Sequence, residues 1–123
     1  MEYILFALLM KHAVADLLIQ SLRPPGDKSK VFSKTNFYHS ADHGILTGVV
    51  LLAFLIPWEL VIALAILDFV LHYLIDWSKT NFVKHMNWDR DGKAFWRVQA
   101  FDQMGHYLTY MLLIVIINVI SNT

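Results

Sequence analysis

Residues 58–76 read WELVIALAILDFVLHYLID, an apolar run interrupted by Asp68, His72 and Asp76. These three side chains are spaced four residues apart, so they share one face of a helix. Ionisable groups are costly inside a membrane-length helix, and they usually mark functional sites there. The run therefore predicts a transmembrane helix that presents two acids and an imidazole to the interior of a bundle.

The same spacing recurs in three other apolar stretches of the chain. Histidine or aspartate side chains stand one helical turn apart in the pairs His12 and Asp16, His39 and His43, and Asp102 and His106. Since about 20 apolar residues cross the bilayer core as a helix, we predict an all-α fold, an integral membrane four-helix bundle with a core lined by histidine and aspartate. The predicted single transmembrane domain covers residues 1–123, with helices at about 2–22, 36–56, 57–78 and 98–120.

Composition favours a membrane protein over a soluble domain. The 123 residues are 57% hydrophobic, above the roughly 45–50% of soluble domains. Ten basic residues balance ten acidic residues, so no nucleic-acid partner is expected. Cysteine is absent, which excludes disulfides and thiolate metal ligands. The expected partner is the lipid bilayer, and a homo-oligomer stays open because small apolar bundles often associate.

Basic residues concentrate in two connecting segments. Segments 21–35 and 79–97 carry Arg23, Lys28, Lys30, Lys34, Lys79, Lys84, Arg90, Lys93 and Arg97. The positive-inside rule places both segments on the cytoplasmic side of a multi-pass protein in the inner (plasma) membrane. On a rise of about 1.5 Å per residue, the polar pairs of all four predicted helices then fall in the cytoplasmic half of the bilayer. This shared depth favours one common site.

The side chains at this depth predict a metal centre. The candidate ligands are His12, Asp16, His39, His43, Asp68, His72, Asp76, Asp102 and His106. Neighbouring aspartates at membrane depth could not all stay ionised without cations, because desolvation and like charges favour protonation. Mixed nitrogen and oxygen ligands suit one or two divalent ions, zinc by preference and manganese or iron as alternatives. For catalysis we predict Asp16, Asp76 and Lys79, an aspartate serving as general base.

Other interpretations of these residues stay open. Each histidine taken alone equally fits a hydrogen-bonded role that joins transmembrane helices. Lys79 stands one turn from Asp76 and could pair with it or extend to the headgroups, as well as bind a substrate. We expect Tyr107 and Tyr110 to serve in helix packing, although either hydroxyl could reach a bound substrate.

The order of the motifs along the chain is also informative. The motifs are His12-x-x-x-Asp16-x-x-x-Gln20, His39-x-x-x-His43, His72-x-x-x-Asp76-x-x-Lys79 and Asp102-Gln103-x-x-His106. This order resembles a family of small bacterial and phage inner-membrane proteins, domain of unknown function 3307, over nearly the whole chain. The resemblance implies a compact multi-helix membrane domain and a phage or prophage origin, and it implies no established activity. A looser similarity is to small membrane proteins described as metal-dependent hydrolases.

Several functions fit these observations, and whether the protein is an enzyme stays open. The leading hypothesis is a metal-dependent hydrolase that acts from the cytoplasmic side on an anionic substrate, such as a phosphoester, a lipid headgroup or a nucleotide. One alternative is a proton- or ion-conducting or transport element, because buried aspartate and histidine also relay protons. A second is a phage-encoded membrane interaction protein with a structural metal. A di-iron oxygenase is a weaker option.

Overall fold

The computed structural model describes residues 1–23, 26, 31–86 and 92–123. In these residues the chain forms four helices and no strand, so the all-α prediction is confirmed. The helices are α1 (Glu2–Leu22), α2 (Lys34–Ala53), α3 (Trp58–Met86) and α4 (Lys93–Ser121).

The C-terminal half of α1 departs from regular geometry. It is α-helical over Glu2–Ala13, continues as a wider π-helical segment over Val14–Ile19, and ends in a tight 3-10 turn. Segments of π-helix occur frequently at functional sites, and this one carries Asp16. Just beyond it, Arg23 donates from Nε and Nη2 to the carboxylate of Asp42 at 2.8 and 2.6 Å, which ties the end of α1 to α2 and raises the pKa of Arg23.

A short turn that contains Pro57 joins α2 to α3 in an antiparallel hairpin. The expected end of α2 lay at residue 56, but the helix ends at Ala53. The N–H groups of Ile56 and Leu55 donate to the backbone oxygens of Leu51 and Leu52, which closes the helix in a Schellman motif. Leu55 in this turn has a positive φ of 62°, which is an uncommon conformation for a branched residue. Within the hairpin, a Cβ atom added to Gly44 would lie 3.0 Å from the backbone oxygen of Ala65, so the helices approach closely there.

Two further helix ends differ clearly from the expected ones, whereas α1 has the expected bounds. The structure continues α3 from the expected end at 78 to Met86, and it begins α4 at Lys93 instead of 98. Hydropathy marks where an apolar run ends, whereas a polar segment without glycine or proline can continue as a helix. With a rise of about 1.5 Å per residue, α3 and α4, of 29 residues each, are longer than the roughly 30 Å of a bilayer core. Their ends can therefore extend beyond that core.

The distribution of polarity is inverted relative to that of a soluble protein. Within the described residues, three helices, α1, α3 and α4, are long and apolar enough to cross a membrane. Many large apolar side chains face outwards, Leu108 among them. Buried ionisable side chains are Lys11, His12, His39, His43, Asp68, His72, Asp76, Asp102 and His106. Charged groups are seldom fully buried unless they are paired, so the bundle interior holds an organised polar site.

Candidate metal centre

Two aspartates organise the histidines of the bundle interior. Oδ1 of Asp16, on α1, lies 2.9 Å from Nε2 of His43 and 3.2 Å from Nε2 of His39, both on α2. Oδ1 of Asp76, on α3, lies 3.1 Å from Nε2 of His106 on α4, and its Oδ2 lies 3.6 Å from Nε2 of His39. His39 therefore stands between the two carboxylates, and the centre draws side chains from all four helices.

His72 lies at the middle of a stack of imidazole rings. Its ring centroid is 3.6 Å from that of His43 and 3.9 Å from that of His106, with interplanar angles of 20° and 18°. The three rings come from α3, α2 and α4. Stacking at this distance holds the imidazole rings face to face and restricts the directions in which their nitrogen atoms point.

Six of the predicted ligands fall into two groups whose donor atoms lie close enough to share an ion. The first group is Asp16, His39, His43 and His72, and the second is His72, Asp76 and His106; within each group the donor atoms lie within 4.8 Å of one another. Ligands bound tetrahedrally at about 2.0–2.1 Å are separated by about 3.4 Å. A modest inward movement of side chains would therefore close either group around a divalent ion.

The hydrogen bonding of His72 fits a metal ligand. Within the described part of the chain, neither of its ring nitrogens has a hydrogen-bond partner, and the residue is only 1% exposed. A buried polar atom without a partner destabilises a fold by about 1–3 kcal/mol. Nδ1 of His39 is also buried and has no hydrogen-bond partner among the described residues. Metal ligation would use such a nitrogen, and His72 belongs to both groups.

Two other predicted ligands lie beside the groups. Nδ1 of His12 is 2.7 Å from the hydroxyl of Tyr110, and its Nε2 is 3.0 Å from Oε1 of Gln103 and 3.0 Å from Oδ2 of Asp16. Tyr110 was expected to pack between helices, with a hydroxyl that could reach a bound substrate; it is buried, and its hydroxyl contacts His12. Asp102 accepts from Gln103 Nε2 at 3.1 Å, and its Oδ1 lies 3.4 Å from Nε2 of His106. Both residues thus border the centre without belonging to either group.

Asp68 lies in a second polar cluster, which the sequence analysis missed. Nζ of Lys11 donates to Oδ2 of Asp68 at 2.8 Å and to the backbone oxygen of His43 at 3.1 Å, and it lies 4.7 Å from the centre of the Tyr110 ring. Thr47 donates to the same oxygen of Asp68. Lys11 was recognisable as a charged residue within an apolar stretch, which is itself a signal of function. The prediction that Asp68 is a ligand stays a prediction, and its observed partner is Lys11.

A polar cavity of about 380 Å³ opens beside the centre. Its lining includes Asp16, His39 and Asp76 from the two ligand groups. Lys79 also lines it, and its Nζ lies 3.5 Å from Oδ2 of Asp102. All three residues predicted to be catalytic therefore face one space. That space can admit water or an anionic group next to the candidate ligands.

These features define a class of protein: a small all-α protein with membrane-length helices and buried His/Asp groups that could hold a metal ion. Its family follows from sequence comparison. The chain belongs to the family described as "Protein of unknown function (DUF3307)", whose model matches residues 4–123. The resemblance noted in the sequence is thereby confirmed. No curated protein and no solved structure matches the chain.

Proposed function

We propose that this protein is a membrane-embedded hydrolase that depends on one or two divalent cations, zinc by preference, and cleaves an anionic ester. The observation that carries the proposal is the cavity beside the centre, because it brings Asp16, Asp76 and Lys79 to one space. A site that only stabilised the fold would need no such space, whereas a catalytic metal site keeps a position open for water or substrate.

His72, which both ligand groups share, suggests which residues hold the metal and which act as the base. A divalent cation acidifies a bound water and polarises the scissile group. Because His72 belongs to both groups, either group could hold an ion, and the aspartate of the other group would then be available as the proton acceptor. Asp16 and Asp76 both line the cavity, so either can serve as the general base.

Lys79 would bind the anionic part of the substrate. Its side chain is 20% exposed, and its Nζ lies 3.5 Å from Oδ2 of Asp102, which is longer than a typical N–H···O hydrogen bond. A phosphate group entering the cavity can take the place of that carboxylate on the ammonium group. Hydrolysis of a phosphoester is therefore the reaction that we favour.

The cavity also suggests an orientation in the membrane. Its lining includes Gln20 near the end of α1 and Gln99 near the start of α4, which lie next to the basic residues Arg23 and Arg97 along the chain. We propose that the protein crosses the inner membrane several times with this end on the cytoplasmic side. The substrate would then enter from the cytoplasmic side.

The test is metal-dependent hydrolysis by the purified full-length protein in detergent micelles. We expect hydrolysis of bis(p-nitrophenyl) phosphate to require an added divalent ion and to be lost in His72→Ala and in Asp76→Asn. His85→Ala is the matched control, because His85 is exposed on α3. Metal binding without hydrolysis of any phosphoester would instead support a structural metal. Ion flux in liposomes that depends on His72, without hydrolysis, would support a conducting element.

A further inference from the structure

A second cavity, of about 560 Å³, lies between α3 and α4 on the outside of the bundle. We call it the α3–α4 groove, and its apolar walls are Leu74, Ile75, Phe82, Val98 and Phe101. Phe101 is 70% exposed, as expected of a side chain at a lipid-facing opening. Its volume falls within the roughly 300–1,000 Å³ of small-molecule sites. The groove is therefore accessible to a hydrocarbon chain from within the bilayer.

The α3–α4 groove meets the polar cavity at two residues. Lys79 and Asp102 line both spaces, and their 3.5 Å ion pair stands where the two meet. On one side of this pair lie Asp16 and Asp76 of the metal centre, and on the other side lie the apolar walls. A molecule that filled both spaces would need an anionic head next to Lys79 and an apolar tail along the groove.

The helix ends that flank the groove carry positive charge. Lys84 lies near the end of α3, and Lys93 and Arg97 lie near the start of α4. Over the whole segment 79–97, five basic residues stand against Asp89 and Asp91, which gives a net charge of +3. Such basic ends attract anionic lipid headgroups. The charge of the surroundings therefore complements the head of an anionic amphiphile.

We infer that the substrate is a lipid phosphoester, with its acyl chain in the α3–α4 groove and its phosphate beside Lys79. This inference rests on the proposed hydrolase function and specifies its substrate class. A nucleotide fits less well, because the groove walls are apolar and open towards lipid. A lipid could enter sideways from the bilayer and keep its chain in an apolar environment throughout.

The test uses a lysophosphatidic acid with a photoreactive acyl chain and the purified full-length protein in phosphatidylcholine nanodiscs, first stripped of metal. We expect crosslinks at residues 74–82 and 98–101. Unlabelled lysophosphatidic acid should compete about tenfold better than lysophosphatidylcholine or glycerol 3-phosphate, a difference of about 1.4 kcal/mol. Equal competition by glycerol 3-phosphate would show that free phosphate suffices, and it would overturn the inference.

Variants locate the acyl chain and separate this inference from the proposed function. Val98→Trp and Leu74→Trp fill the groove and should each lower crosslinking about tenfold. Ile45→Trp is the matched control and should leave crosslinking unchanged, because Ile45 is exposed on α2, which does not line the groove. Unchanged crosslinking in both groove variants would overturn the inference. Crosslinking is measured without metal, so it does not depend on the proposed metal site. If the groove is crosslinked but the protein binds no metal, only the hydrolase proposal is refuted. Metal-dependent hydrolysis without groove crosslinks would refute only the lipid site.

Discussion

The pair of Lys11 and Asp68 offers a quantitative test of how the interior is organised. Their side chains are 4% and 1% exposed, and the ammonium and carboxylate groups lie 2.8 Å apart. Replacing Lys11 by methionine keeps the approximate volume and leaves the carboxylate buried without its cation. Breaking a buried pair in this way destabilises a fold by about 3–5 kcal/mol. We therefore expect Lys11→Met to lower the free energy of unfolding by that amount.

The double variant gives the sharper result. Lys11→Met combined with Asp68→Leu removes both charges together, and replacing a whole buried pair by apolar groups is often neutral or stabilising. The double variant should therefore be more stable than either single variant by about 2 kcal/mol or more. The free energies can be measured by titration with sodium dodecyl sulfate in mixed micelles, with helical circular dichroism as the signal.

Lys79→Met is the matched control for the same chemical change. Its partner Asp102 is buried as Asp68 is, but Asp102 keeps Gln103 and His106 as polar neighbours, and the Lys79 side chain is 20% exposed at 3.5 Å. The loss should therefore be smaller than that of Lys11→Met. A loss for Lys11→Met no larger than that for Lys79→Met would show that the Lys11–Asp68 pair does not stabilise the interior. Simple addition of the effects of Lys11→Met and Asp68→Leu in the double variant would show the same.

Two further predictions concern packing and hydrogen bonding. Gly44→Ala should destabilise the protein by about 1–3 kcal/mol, because the new Cβ atom would lie 3.0 Å from the backbone oxygen of Ala65. A Cβ atom at Gly48 would have its nearest neighbours at 3.8 Å, so Gly48→Ala should be tolerated. Equal thermal stability of the two variants would contradict the close approach of α2 and α3. Tyr110→Phe removes the hydroxyl that lies 2.7 Å from Nδ1 of His12. The free energy of unfolding, measured by the titration with sodium dodecyl sulfate, should fall by about 1–3 kcal/mol. An unchanged value would show that this contact does not stabilise the fold.

Much of the fold follows from patterns that are local in the sequence. Apolar runs of membrane length identify the helices, and Pro57 identifies the turn between α2 and α3, because proline begins helices more readily than it continues them. The continuation of α3 to Met86 could not be predicted in this way, because hydropathy does not distinguish a polar helix from a polar loop.

The candidate site was predicted only in outline, for a geometric reason. Spacing of four residues identifies the face of each helix, but the relative rotation and offset of two helices decide which side chains meet. Asp68 lies one turn, about 6 Å, from His72 along α3, and this offset brings it to Lys11. The role of Lys11 depends on α1 packing beside α2 and α3, which no pattern within α1 encodes.

We propose that His72 and the acids and imidazoles around it hold a divalent ion. The most direct measurement is zinc bound per chain after equilibrium dialysis of the purified protein, combined with X-ray absorption spectroscopy of the bound metal. We predict one or two ions in a shell of nitrogen and oxygen ligands with imidazole scattering, and a large loss of binding in His72→Ala but not in His85→Ala. A wild-type protein that binds no zinc, manganese or iron, or undiminished binding in His72→Ala, would contradict the account.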